Sequence, residues 1–445
     1  MSREATTVKM LLVMPDATIH RLTLGSFRMS FREAPLTLTT LAALVPPELD
    51  MDITVVDESV DVIPHAKPFD LVGISCLTGT APRAYAIADR FRREGVTVVL
   101  GGIHVSLRPE EAAAHADAIV IGFAERAWPQ LLRDFRLGCL QPTYQQEAVP
   151  LANLPDPRRD LQRRFGYTMP QTVFATRGCH QRCSFCAVPA VPFGWHTRPV
   201  GDVIDEIRRL PRKRFAFNDV NLVSDREYAM ELFTALTPLR RKWGGLAPVA
   251  LADDAELLDA MCRSGCQYVL LGFESVRQSS LGQIQKSFNR AHDYSRAMQA
   301  FHERGMVVQG CFIFGMDDDG KGVFAETVAA IRDLRIDIPR FAIYTPYPGT
   351  QAFATLSDQN RILHEQWEHY DTQHVVFQPA QMSPAELLQG FHWAYRKTFT
   401  GRSLIQRTLS SPHPVISLLG NTAYRLYIRR LCAGGPSRHA GGSTR

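Results

Sequence analysis

Short apolar runs alternating with helix-patterned stretches constrain this sequence more than any other feature. Met10–Pro15, Ile53–Asp57, Leu71–Cys76, Val96–Leu100 and Ala118–Ile121 have the length and composition of buried strands, and stretches such as Pro82–Glu94 between them carry helical spacing. Strands separated by helices pair in parallel, because a crossover of that length returns the chain to the same end of the sheet. The first 140 residues are therefore expected to form a doubly wound α/β domain, with ligands at the carboxyl ends of its strands. The turns there are Ser75-Cys76-Leu77-Thr78-Gly79-Thr80, Gly101-Gly102-Ile103-His104 and Gly122-Phe123-Ala124-Glu125.

The alternation lapses over 141–168, a polar, Pro-rich stretch containing Asn153-Leu154-Pro155-Asp156-Pro157, which reads as a linker. It resumes with strand candidates at Thr172–Thr176, Arg214–Asn218, Ala247–Leu251, Tyr268–Phe273, Val308–Phe314 and Phe341–Thr345. Six βα repeats over 169–350 predict a partial (β/α)6 parallel barrel with its chemistry at the strand ends. Residues 351–435 read as a helical region that shapes a pocket or caps the barrel, and 436–445 as a disordered tail. Within that region Arg402–Leu431 is rich in Arg, Leu and Tyr, and two readings stand: basic amphipathic helices on a membrane surface, or a cap on the barrel with its arginines in solvent.

Of the 445 residues 45% are hydrophobic and 21% charged, as in a packed soluble protein. The formal charge is +5, and no basic run interleaved with aromatics marks a nucleic-acid groove, so nucleic acid is set aside as a partner. Three of the nine cysteines crowd into Cys179–Cys186, where disulfide pairing is sterically awkward. A reduced, cytoplasmic compartment is expected. The N-terminus has no cleavage site of the secretory kind, and no apolar run approaches the roughly 20 residues that span a bilayer.

The chemistry concentrates in Thr176-Arg177-Gly178-Cys179-His180-Gln181-Arg182-Cys183-Ser184-Phe185-Cys186, directly after a predicted strand. Iron–sulfur clusters are held by cysteine thiolates, and a cubane normally takes four; three at this spacing leave one iron open to a small molecule. The competing reading is structural zinc, which favours four ligands in paired clusters, and no second Cys-x2-Cys follows. His180 suits a loop residue better than a fourth ligand.

On these residues the chain resembles the radical S-adenosylmethionine (SAM) superfamily. The resemblance implies that Cys179, Cys183 and Cys186 bind a 4Fe-4S cluster whose open iron chelates SAM, which is cleaved to a 5′-deoxyadenosyl radical. It further implies Phe185 near the adenine, Asp219 near the methionyl group in place of the family's Gly-Gly-Glu signature, and Glu274, Ser275 and Gly315 at the later strand ends around SAM. Taken alone each has an ordinary explanation as an N-cap or a turn. An external low-potential electron donor, flavodoxin or ferredoxin, is implied as well.

The N-terminal domain resembles the cobalamin-binding module that precedes the barrel in one large subclass. That likeness implies Ser75, Thr78, Gly101, Gly102 and Gly122 at a corrinoid. The Asp-x-His-x-x-Gly ligand motif is absent, because Asp16-Ala17-Thr18-Ile19-His20 has the wrong spacing and no glycine at its end. A nucleotide is the other occupant such turns can hold, though no Gly-x-Gly-x-x-Gly is present. The function implied is cobalamin-dependent C-methylation of an unactivated carbon in a small-molecule or lipid-like substrate. The alternatives are a radical oxidative cyclase or rearrangement without methyl transfer, and a non-catalytic corrinoid or iron–sulfur carrier.

Overall fold

The structure is a computed structural model that describes residues 7–16, 21–24, 27–64, 68–146, 150–191 and 194–433. His20 and the tail 436–445 lie outside these. The chain divides into two compact units, one of Met1–Leu246 with Thr345–Phe377, the other of Ala247–Tyr344 with Gln378–Arg445.

The first unit opens with a six-stranded sheet. Its strands β1 (Val8–Met14), β4 (Met51–Asp57), β5 (Leu71–Ser75), β6 (Thr97–Gly101), β7 (Ala118–Gly122) and β8 (Thr143–Gln146) lie in the order β4-β1-β5-β6-β7-β8, all parallel. A separate hairpin of β2 (Arg21–Leu24) and β3 (Phe27–Ser30) was not legible in the sequence. Successive side chains point to opposite faces, so Leu11, Val13, Val72, Ile74, Val98 and Leu100 enter one core, and Met10, Leu12, Leu71, Val99 and Val120 another. Burial on both faces makes the strands continuous apolar runs, as expected for a doubly wound sheet.

Two expectations need correction. The segment read as a linker contains β8, whose Gln146 is buried because its side-chain oxygen accepts from the Arg126 and Ala127 backbone N–H groups and so caps the preceding helix, Ala127–Leu137. Polar content hid this strand, since its neighbour's turn needs an amide rather than an apolar group. The strand expected at Ala247–Leu251 lies earlier, because Pro248 lacks an N–H for a ladder and starts a turn over Val249–Asp253.

After the strap 150–170 come β9 (Thr172–Val173), β10 (Thr176–Arg177), β11 (His196–Thr197), β12 (Arg214–Phe217) and β13 (Lys242–Ala247). β9, β12 and β13 are parallel neighbours, while β10 and β11 form a small antiparallel ladder. Gly244 and Gly245 obscured β13 in the sequence; Gly245 packs on Phe217, where an added Cβ would stand 3.4 Å from that side chain's Cβ.

The second unit contains the parallel strands β14 (Cys266–Glu274), β15 (Val307–Phe314) and β16 (Ile338–Ile343). Phe273, Phe312, Phe314 and Phe341 stack on the helix-covered face. The helix Pro384–Thr398 starts on a Ser383–Glu386 capping box. Its Tyr395 hydroxyl donates to Phe341 O at 2.9 Å and accepts from Phe341 N at 3.1 Å. One phenol thus satisfies both backbone groups of a residue on β16, a strand at the end of the sheet order. Tyr395→Phe should leave those two buried groups unpaired and lower stability by about 1–3 kcal/mol, read as a denaturation midpoint shift at unchanged slope.

Candidate functional site

Strands β5, β6 and β7 of the first unit end at a cavity of about 480 Å3. Ser75, Gly101, Gly102 and Gly122 line it. Thr78 does not, because it is buried with its hydroxyl 3.2 Å from His104 Nδ1. The glycines differ in what they make room for. A Cβ on Gly102, where φ is +102°, would meet Cys76 O at 2.6 Å and Cys76 N at 2.8 Å, so this glycine serves the close approach of β5 rather than a ligand. A Cβ on Gly101 would touch nothing closer than Val120 at 3.7 Å. Gly101 therefore leaves space that belongs to the cavity. The Gly122 N–H donates to Ser106 Oγ, which donates in turn to Gly102 O, tying two of the turns together.

The opposite wall of the same cavity includes Phe174, Thr176, Arg177, Gly178, Val191 and Gly194, residues that flank the cysteine loop. Arg177 forms a buried ion pair with Glu125 and stacks over Phe123 and Phe174, at 5.3 and 4.6 Å to the ring centroids. The pair joins the rim of the first sheet to the residue two places before Cys179. Sequence reasoning quoted both residues and assigned neither; a carboxylate in a strand-end turn was the available signal.

The cysteine loop is closed at its neck. β10 and β11 pair across it, and Gly178, with φ at +82°, passes so near Gly194 that a Cβ would lie 2.0 Å from that residue's carbonyl oxygen. Within the loop Cys186 N donates to Cys183 O at 3.1 Å, putting these two cysteines on one turn with the half-buried Phe185. Cys179 Sγ accepts from Gln181 N at 3.4 Å, with Asn221 Nδ2 at 3.9 Å. All three cysteines are partly exposed and free of disulfides. His180 is directed to Ser224 O and to the Trp195 ring, in keeping with a loop role. Among the described residues no three His, Cys, Asp or Glu side chains converge as a single metal ion requires.

Asp219 stands behind the loop. It is 2% exposed, and its carboxylate accepts from Ala175 N at 3.0 Å, from Thr176 Oγ1 at 2.7 Å and from Thr176 N. Burial pushes its pKa up to about 6, against these hydrogen bonds. The role this geometry gives it is to anchor the strand that leads into the loop, with its oxygens already engaged by backbone.

In the second unit Glu274, at φ +61°, ion-pairs with Lys286 at 2.6 Å directly above Gly272, where a Cβ would meet Glu274 Oε1 at 2.4 Å. The Ser275 hydroxyl accepts from Arg277 N at 3.1 Å, and Tyr294 donates to Phe273 O and to Ser275 O, so the turn after β14 is tied from two sides. Gly315 N and Met316 N both donate to Asp319, a residue the sequence reading missed; its burial pushes its carboxyl up to about 6. Cys311, level with Arg340 on the adjacent strand, has its thiol pushed up to about 11 by burial and stays protonated at neutral pH. Arg340 has no hydrogen-bond or ion-pair partner among the described residues, and could not be singled out from sequence. Trp367 and Tyr370 are buried against one another in the first unit.

Comparison with known proteins adds to this picture. The B12 binding domain family matches residues 28–132, and the Radical SAM superfamily matches residues 173–343. Bacteriochlorophyllide d C-12(1)-methyltransferase of Chlorobaculum tepidum is 31% identical over 395 residues, covering 85% of each chain. The C-8(2)-methyltransferase of the same organism is 31% identical over 416 residues, 88% of this chain and 91% of that one. Among solved structures the radical SAM methyltransferase TsrM of Kitasatospora setae, with cobalamin and a [4Fe-4S] cluster bound, has a TM-score of 0.65 at 16% identity, covering 95% of this chain and 99% of that one.

Asp219→Ala should strand the Ala175 and Thr176 N–H groups in a buried setting, at a cost of about 1–3 kcal/mol. Its folded pKa is raised, so the contribution of this carboxyl to stability is largest below the unfolded value and falls as pH rises through about 6; the variant should lose that slope. Iron bound per chain after anaerobic reconstitution, measured beside a denaturation series over pH, checks both effects.

Proposed function

The chain belongs to the family of cobalamin-dependent radical SAM methyltransferases, and from that premise we propose that it methylates an unactivated carbon of a small-molecule or lipid-like substrate. The observation that carries this reading is the shared cavity of the first unit, with the strand-end glycines of the sheet on one wall and the neck of the cysteine loop on the other. When bound, a 4Fe-4S cluster with SAM would supply a hydrogen-abstracting radical, and a corrinoid a transferable methyl group.

The chain's own residues act around these groups. Cys179, Cys183 and Cys186 would hold the cluster as thiolates on a loop whose neck is fixed. Phe185 is assigned to the adenine, and Glu274, Ser275 and Gly315 of the second unit to SAM, with Asp219 positioning the loop from behind. Ser75 offers a hydroxyl to the corrinoid's nucleotide tail, Gly101 leaves it room, and Gly102 and Gly122 shape the turns. Thr78 contributes only through His104. Apolar walls such as Leu41, Val99 and Trp128 would keep water out of the corrinoid pocket. Electrons would come from a low-potential flavodoxin or ferredoxin, in the cytoplasm.

The test is anaerobic reconstitution with SAM, a strong reductant, hydroxocobalamin and candidate substrates, followed by chromatography of the adenosyl products. Methylation gives S-adenosylhomocysteine and 5′-deoxyadenosine together; deoxyadenosine alone indicates ring closure or rearrangement, and neither product indicates a carrier. Replacing any one of the three cysteines by Ala should reduce deoxyadenosine to the level without enzyme. Gly101→Leu should weaken corrinoid uptake on the order of tenfold or more, as overpacking of a fitted site does, while leaving deoxyadenosine formation in place. Gly102→Ala should instead destabilise the fold itself, because its Cβ meets backbone.

A further inference from the structure

We propose that the two C-terminal helices, Gly401–Ser410 and Pro414–Ala433, form a docking surface for an anionic lipid membrane. Their inner face is locked by buried polar contacts. Arg407 donates from Nε and Nη2 to Asn421 Oδ1 at 3.0 and 2.7 Å, and from Nη1 to Thr398 O at 2.8 Å. Asn421 donates to Asp337 O, beside β16, and to Ser417 O, both at 2.8 Å. Gly420 lies so close to Ile338 that a Cβ would stand 2.6 Å from its Cδ1. A helix pair held this way cannot roll to hide its outer side chains without stranding a buried guanidinium.

The outer face is apolar. Six of the twelve large hydrophobic side chains that stand exposed among the described residues fall on these two helices. Ile405 and Leu409 are one turn apart, 60% and 78% exposed; Val415 and Leu419 are 70% and 67% exposed, and Leu418 and Leu426 continue the stripe. Spacing of three and four residues carries the same stripe on to the exposed Arg429 and Arg430.

Charge identifies the occupant. From Leu387 to Arg445 there are nine Lys and Arg and no Asp or Glu, whereas the whole chain carries +5, so the first 386 residues are net negative by four. A second copy of the chain would set this cationic face against its own like. An anionic bilayer satisfies both the apolar stripe, which enters the headgroup boundary, and the basic residues around it. No described helix is long and apolar enough to cross a membrane, so the helices would lie on the surface. The inference stands on these helices alone and is independent of the methylation reading.

Cosedimentation of the full chain with vesicles tests it. Binding is expected to phosphatidylglycerol–phosphatidylcholine vesicles, weaker binding to phosphatidylcholine alone, and loss of the difference as salt rises. The double variant Arg429→Gln/Arg430→Gln should reduce partitioning onto anionic vesicles on the order of thirtyfold, and Leu409→Ser/Leu419→Ser should weaken binding to both vesicle types. The variants must keep the wild-type thermal transition and iron content, which separates a lost surface from a lost fold; Leu418→Ser/Leu426→Ser is the replacement pair if the first one unfolds. Equal sedimentation with and without anionic vesicles at low salt overturns the proposal. So does self-association in light scattering that the leucine variants abolish.

Discussion

The carboxylate of Asp219 holds together what the rest of the site depends on. It gathers the backbone N–H groups of Ala175 and Thr176, and the hydroxyl of Thr176, behind the strand from which the cysteine loop departs. Hydrogen bonds to a charged acceptor are each worth about 1.5–3 kcal/mol, which offsets only part of the cost of burying the carboxylate, so its pKa stays raised to about 6. On that anchor the β10–β11 ladder and the crossing of Gly178 with Gly194 close the loop's neck, so three partly exposed cysteines are presented from a fixed base. A site that must hold a cofactor in one orientation needs such support, because first-contact residues on an unsupported loop would lose that precision.

The Arg177–Glu125 pair extends this anchoring to the first sheet. The guanidinium is flanked by the rings of Phe123 and Phe174, which restricts its orientation and shields the pair from water. The consequence is that the turn after β7 and the neck of the cysteine loop share one buried contact, and the cavity between them is walled by both. The C-terminal helices obey the same logic at the other end of the chain, where Arg407 and Asn421 fix an orientation that leaves leucines in solvent. In each case a buried polar contact sets geometry that hydrophobic burial alone would leave free to shift.

Much of the fold was legible because period-two burial on both sheet faces writes itself into the sequence as continuous apolar runs. β1, β4, β5, β6, β7, β14, β15 and β16 were all visible this way. β8 and β13 were not, since a buried glutamine that caps a helix and a glycine pair with one member packed on an aromatic both imitate loop composition. The cysteine spacing pointed to the cluster, yet the supports of the loop were hidden, because Arg177, Glu125 and Asp319 act through partners far away in sequence. Asp219 was singled out as an S-adenosylmethionine contact, but its engaged oxygens could only be seen once the strands were assembled.

By itself the sequence determined the parallel α/β class, the three cysteines on a strand-end loop and the likeness to a corrinoid-type module, because each depends on local spacing and periodicity. Tertiary structure alone decided which glycines make room for a ligand and which make room for the protein, that Thr78 turns inward to His104, and which leucines of the last helices face out. Those outcomes depend on distances between segments remote along the chain, and no local pattern encodes that a Cβ on Gly102 would stand 2.6 Å from Cys76 O.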